Sequence, residues 1–233
     1  MKQRKLTGLA SFGLLVGAYF VTWADLFLPL GPAEAFSGQW FCVSAVKNIL
    51  RVLIVLILGR LFRFESVPSF RSLFPKDPGT RRSRLFPDAM DMLNGLVIAG
   101  AAFGVVLACS LVSLLFHYTN PVLRAMSGMR LTPEIFLGIT FLSFSVGYAE
   151  ELFFRCFAEE SFRNIGLSPF WAMGASSLLF GVSHGAQGAG GMVIAALLGL
   201  VFSLFRKKGR SLHAIALGHA LYDFFIMLLA FNL

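Results

Sequence analysis

The sequence predicts an all-α membrane protein, a polytopic bundle of about seven transmembrane helices. Three observations predict it. First, 57% of the 233 residues are hydrophobic, only 14% are charged, and the mean hydropathy is +0.75. A soluble domain typically carries about 25% charged residues, and one of this size could not hide so much apolar surface without exposing large patches. Second, the apolar residues come in stretches of roughly the 20 residues a spanning helix needs, unlike the short alternating segments of a membrane β-barrel. Third, Lys and Arg give a formal net charge of +8 and cluster in the short segments between apolar stretches, as on the cytoplasmic side beside anionic lipid. Membrane lipid is therefore an expected partner. Nucleic acid is not, because no basic stripe carries interleaved aromatics.

Each element follows in order. Met1-Lys2-Gln3-Arg4-Lys5 leads into an apolar run to about Leu30. The run is long for a signal peptide and lacks a clean small-x-small cleavage site, so it reads as the first span. The second run covers Gly38 to Phe62 and holds Lys47 and Arg51 one turn apart, which gives that helix a polar face or a late start. Residues 63–90 carry Arg63, Arg71, Lys76, Arg81, Arg82 and Arg84 among several prolines and read as a loop or interfacial segment. Met92 to Phe116 is the third run, and a link with Asn120-Pro121 and Arg124 follows.

The fourth run opens at Thr132-Pro133-Glu134, with Pro in the first turn, and continues to about Asn164. The fifth covers Ser168 to His184, and a Gly-rich link, Gly185 to Gly191, leads to a sixth that ends near Phe205. After the basic turn Arg206-Lys207-Lys208-Gly209-Arg210, the seventh runs from Ser211 to the end. The chain divides into N-terminal helices with a basic loop, 1–130, and a core, 131–233, that carries the chemistry. The basic clusters at the N-terminus, at 63–84 and at 206–210, against a first link near Gly31 to Ser37 that holds only Glu34, place the N-terminus in the cytoplasm; Arg124 and Arg130 run against that pattern. Cys42, Cys109 and Cys156 lie in or beside apolar runs without C-x-x-C spacing and read as packing residues.

Ionisable groups inside a membrane helix cost roughly 2.5–3.5 kcal/mol each on insertion scales and mark function by default. The densest cluster is Ala149-Glu150-Glu151-Leu152-Phe153-Phe154-Arg155. Glu151 and Arg155 stand four residues apart on one helix face and suit an ion pair, whereas Glu150 points about 100° away and stays free for another task. In Phe180-Gly181-Val182-Ser183-His184, Phe180 and His184 share a face; in His219-Ala220-Leu221-Tyr222-Asp223, His219 and Asp223 do. Were the helices on either side of Gly166 antiparallel, Glu150 would lie about 21 Å below Asn164 and His184 about 24 Å beyond Ser168, at nearly one depth. His219 is only about 14 Å past Arg210. His213, beside the basic turn, reads as interfacial.

These three pieces, E-E-x-x-x-R, F-x-x-x-H and H-x-x-x-[ND] in that order, resemble the motifs of the CAAX prenyl endopeptidase and bacteriocin-processing (Abi) family of intramembrane proteases. The resemblance covers residues 131–231. It implies a proteolytic core of helices around a polar intramembrane cavity, in which Glu150 and His184 activate water and His219 and Asp223 stabilise the oxyanion. Glu151 and Arg155 lend structural support. A buried carboxylate is a stronger base than a solvated one, and His219 can donate to an oxyanion. An ionised Asp223 cannot, and is expected instead to orient His219 and stabilise its cationic form. The preferred chemistry requires no cofactor. Zinc is the alternative, with Glu150, His184 and His219 as an open three-ligand set, though no H-E-x-x-H motif is present.

Two other functions compete. Buried Glu, His and Asp also serve proton-coupled transporters, but two related halves with broken helices are absent from the sequence. A non-catalytic immunity or scaffold protein of the same fold is the other. The expected substrate of the protease is a protein or peptide with a tail or segment at the membrane: a prenylated tail, a leader peptide or a C-terminal sorting tail.

Overall fold

Helix starts lie where the local chemistry places them. Ser37, Thr132 and Ser211 each accept a backbone hydrogen bond through the side-chain oxygen, from Trp40, Ile135 and Ala214, and so satisfy donors that open a helix. Proline stands in the first turn at Pro121, Pro133 and Pro169. The computed structural model describes residues 8–23, 36–68, 86–116 and 119–231. Among them the helices are α1 (Gly8–Thr22), α2 (Gly38–Leu61), α3 (Ala89–Phe116), α4 (Pro121–Met126), α5 (Pro133–Glu151), α6 (Glu159–Asn164), α7 (Pro169–Ser183), α8 (Gly188–Lys207) and α9 (Leu212–Ala230). A π-helical segment, Leu152–Ala158, joins α5 to α6 without a break, and a short 3₁₀ turn, Gly185–Gln187, joins α7 to α8.

The fold is all-helical over the described residues, as expected. Five helices are long and apolar enough to cross a membrane: Gly38–Leu61, Ala89–Leu111, Pro133–Asn164, Gly185–Lys207 and Leu212–Ala230. The other two of the seven expected runs form helices of 15 residues each, α1 and α7, about 22 Å long against a hydrocarbon core of about 30 Å. α7 is short because the chain turns at His184, and Gly188 takes a positive φ of 76° to enter α8. The Gly-rich link expected over 185–191 is accordingly only three residues long, and the glycines after it open α8. The start and end of the first run, and most of the polar segment 63–90, lie outside the described residues.

Val46, Ile49, Leu50, Leu53 and Ile57 are exposed along α2, an outer face suited to lipid. Cys42 is exposed beside them, so its expected packing role is not seen, whereas Cys156 is buried. The polar face expected at Lys47 and Arg51 is turned inward at Arg51. Its guanidinium donates to Asn48 and to the backbone carbonyl of Thr22, and lies over the Trp23 ring at 4.9 Å, tying α2 to the end of α1. At the other end of the α5–α6 helix, Glu160 accepts from the backbone N–H groups of Glu65 and Ser66 and holds the chain that leaves α2.

α9 is the centre of the bundle, packed against α3 and α5, while α7 packs against α8 and α2 against α5. Small residues set these crossings, as is usual where apolar solvent gives helices no hydrophobic reason to associate. A Cβ on Gly147 would stand 2.6 Å from the Ala216 carbonyl oxygen and 3.1 Å from the Ala220 nitrogen; one on Gly181 would stand 2.6 Å from the Met192 carbonyl oxygen. Gly147→Ala is therefore expected to force α5 and α9 apart and cost about 1–3 kcal/mol. It should lower the thermal unfolding temperature in detergent, and an unchanged temperature would show that the crossing relaxes freely.

Candidate active site

The four residues expected to carry chemistry come from three helix segments and meet. Glu150 ends α5, His184 caps α7, and His219 and Asp223 lie one turn apart on α9. Glu150 Oε2 is 4.0 Å from His184 Nε2 and 3.8 Å from His219 Nε2. His219 Nε2 is also 3.4 Å from Asp223 Oδ2. Glu150 is only 7% exposed, and its Oε2 has no hydrogen-bond partner among the described residues. A buried, unpartnered carboxylate oxygen aimed at two imidazole nitrogens is costly unless something else fills the space between them.

Hydrogen bonds at Nδ1 fix both rings. His184 Nδ1 lies 2.8 Å from the Phe180 carbonyl oxygen. A carbonyl can only accept, so Nδ1 donates, and in the neutral ring Nε2 keeps its lone pair towards Glu150. His219 Nδ1 lies 2.9 Å from Glu151 Oε1 and donates to it. Glu151, fully buried, accepts at its other oxygen from Arg155 Nε at 3.0 Å. The expected Glu151–Arg155 pair thus forms, and Glu151 also bridges to His219. The orienting contact at Nδ1 of His219 comes from Glu151, whereas Asp223 lies on the Nε2 side, beside Glu150.

The π-helical segment begins one residue after Glu151. Such segments widen the helix and frequently occur at functional sites. Here the widened turn buries Phe153, Phe154, Arg155 and Phe157 together. Around Arg155 stand three rings, Phe180 at 4.9 Å, Phe154 at 5.9 Å and Phe202 at 6.0 Å. Below them an aromatic core runs from Trp23, 4.6 Å from Phe153, to Phe64, stacked on Phe157 at 4.6 Å.

His184, His219 and Asp223 open onto a cavity of about 710 Å³. Its walls are mainly apolar, with Trp40, Met126 and Met227 among them, and the polar Asn120 and Gln187 lie at one side, bonded to each other at 3.2 Å. His213 stays apart from the cluster, its Nδ1 2.9 Å from the Tyr148 hydroxyl.

The sequence reading missed Gly199 and Phe202 on α8. Phe202 is fully buried and stacks on His219, with centroids 4.9 Å apart and planes at 27°. A Cβ on Gly199 would stand 3.0 Å from the Phe180 ring and 3.2 Å from Arg155 Nη2. Their three-residue spacing puts both on one face of α8, but in a chain with 26 phenylalanines and 23 glycines that spacing carries no signal.

The donor types at the centre would suit zinc. Yet among the described residues no three His, Cys, Asp or Glu side chains are grouped as a metal needs. Glu150 Oε2 stands 3.8 and 4.0 Å from the imidazole nitrogens, more open than the roughly 3.4 Å between tetrahedral ligands at zinc–ligand distances near 2.1 Å.

Fold and site together define a polytopic helical membrane protein with a buried carboxylate–histidine cluster beside a largely apolar cavity. Residues 131–225 match the family model described as type II CAAX prenyl endopeptidase, Rce1-like. The resemblance drawn from the three motifs is therefore supported over that stretch. No curated protein and no solved structure gives a significant match.

Proposed function

We propose that this chain is an intramembrane endopeptidase that hydrolyses a peptide bond of a membrane-associated protein or peptide. The observation that carries the reading is the unpartnered Glu150 Oε2, buried and facing the Nε2 atoms of His184 and His219. Separations of 3.8 and 4.0 Å are longer than direct hydrogen bonds and leave all three atoms within reach of a water lying beside them. In this reading a water sits between Glu150 and His184. Glu150 takes its proton as the oxygen attacks the scissile carbonyl, and the proton is then delivered to the leaving amine. The tetrahedral oxyanion forms on the Nε2 side of His219, which donates to it. Glu151, paired with Arg155, holds His219 at Nδ1, and Asp223 keeps a proton on Nε2 until the oxyanion replaces it as acceptor. The apolar cavity gives room for an apolar side chain or a lipid-like tail next to the scissile bond, in keeping with a prenylated or otherwise membrane-bound substrate. The test is cleavage by protein purified in detergent of a peptide library presented with and without a C-terminal prenyl group; products absent from Glu150→Gln support the reading, and a wild type that cleaves nothing overturns it.

The reading requires no metal. Purified active protein is expected to carry no stoichiometric zinc by elemental mass spectrometry and to keep its turnover after chelation and dialysis. One zinc per chain, with activity lost on chelation and restored by zinc alone, would instead make Glu150, His184 and His219 ligands.

A further inference from the structure

Phe202 belongs to none of the three motifs, yet it is the residue that lies flat on His219. The imidazole is held at its edges by carboxylates: Glu151 at 2.9 Å from Nδ1, Asp223 at 3.4 Å and Glu150 at 3.8 Å from Nε2. Those contacts fix the ring's direction but leave rotation about its long axis and both ring faces open. Phe202 covers one face, with centroids 4.9 Å apart and an interplanar angle of 27°. Phe180 meets the same imidazole edge to face, at 5.8 Å and 85°. The two contacts therefore differ in kind: Phe202 lies nearly parallel to the imidazole and turns its π face to it, while Phe180 stands perpendicular. An aromatic face attracts a cationic ring through its quadrupole, and most strongly where water is excluded. Phe202 is completely buried. Its position is also defended from behind: Leu198, Ala214, Ile215 and Ile98 pack with it in one buried cluster, so it cannot swing away from His219.

We propose that Phe202 is a positioning residue for the hydrolytic step, its π face keeping His219 in plane and favouring the charged donor that the oxyanion requires. This rests on the endopeptidase reading above. Phe202 touches no reacting atom; it acts through His219. A ring that merely fills space would serve equally well with any electron distribution, and that difference separates the two roles.

The experiment replaces Phe202 with mono-, di-, tri- and pentafluorophenylalanine by nonsense suppression. Fluorination keeps the shape of the ring nearly constant while draining its π face. Turnover of a cleaved library peptide and thermal unfolding are measured across the series, with Phe202→Leu as a non-aromatic reference. kcat is expected to fall stepwise with fluorine content, by about tenfold in all, the range of a desolvated cation–π contact, while KM and the unfolding temperature stay within error. Phe202→Leu should lose at least as much kcat. A flat kcat across the fluorinated series, or a loss that tracks unfolding temperature, overturns the proposal while leaving the endopeptidase reading intact. A wild type that cleaves no peptide overturns both.

Discussion

Glu150→Gln is expected to abolish cleavage, a loss of at least the ~10²–10⁴-fold assigned to general-base catalysis, while leaving folding and substrate capture nearly unchanged. The expectation comes from what surrounds each oxygen. Glu150 Oε2 has no hydrogen-bond partner among the described residues, so the amide of glutamine removes basicity without breaking a hydrogen bond. Its neighbour gives the contrast. Glu151 accepts from Arg155 at 3.0 Å and from His219 at 2.9 Å, so Glu151→Gln removes a charge that two other residues depend on and should lower unfolding temperature as well as turnover. Turnover, retention of a tagged peptide and unfolding temperature, measured together on both variants, check this. Near-normal turnover in Glu150→Gln would sink the mechanism and move the transporter or scaffold readings ahead of it.

Arg155→Ala is expected to be the most destabilising single change in the core, by about 3–5 kcal/mol. Arg155 is 2% exposed and its pair with Glu151 is wholly shielded from solvent. Removing it strips the buried Glu151 of its permanent cation and leaves His219 as its one remaining partner among the described residues, and opens space among Phe154, Phe180 and Phe202. Folded yield and unfolding temperature in detergent should both drop. The double variant Arg155→Met with Glu151→Gln should recover part of that stability, because an unpaired charge costs more than a missing pair, but not activity, because His219 has lost its carboxylate at Nδ1. Wild-type stability in Arg155→Ala with turnover alone lost would assign Arg155 to substrate binding instead.

The part of the site legible in the sequence is the part written in periodic spacing. Four residues separate Glu151 from Arg155, Phe180 from His184 and His219 from Asp223, and a helix turns each spacing into a shared face. That spacing, with the cost of placing charge in an apolar helix, was enough to choose the residues. The depth estimate for Glu150 and His184 agrees with their 4.0 Å separation. His219, about 14 Å past Arg210 by the same estimate, did not match in depth, and its approach depends on something the count of residues does not contain: Gly147 letting α5 sit directly on the α9 backbone at Ala216 and Ala220.

What the sequence determined by itself is therefore the solvent, the fold class and the identity of the buried ionisable residues: apolar runs too long for a soluble core, helices rather than strands, and carboxylates and imidazoles inside apolar helices. Each is local, a property of composition or of one helix. The tertiary structure alone decided which atoms face which. It made Glu151 the group that holds His219, put Asp223 on the Nε2 side instead, and brought Phe202 from a motif-free helix onto the imidazole face. Those relations arise between helices distant in the chain. They are set by where small residues allow backbones to approach, and by a π-helical turn that follows Glu151, and no periodicity within one helix encodes either.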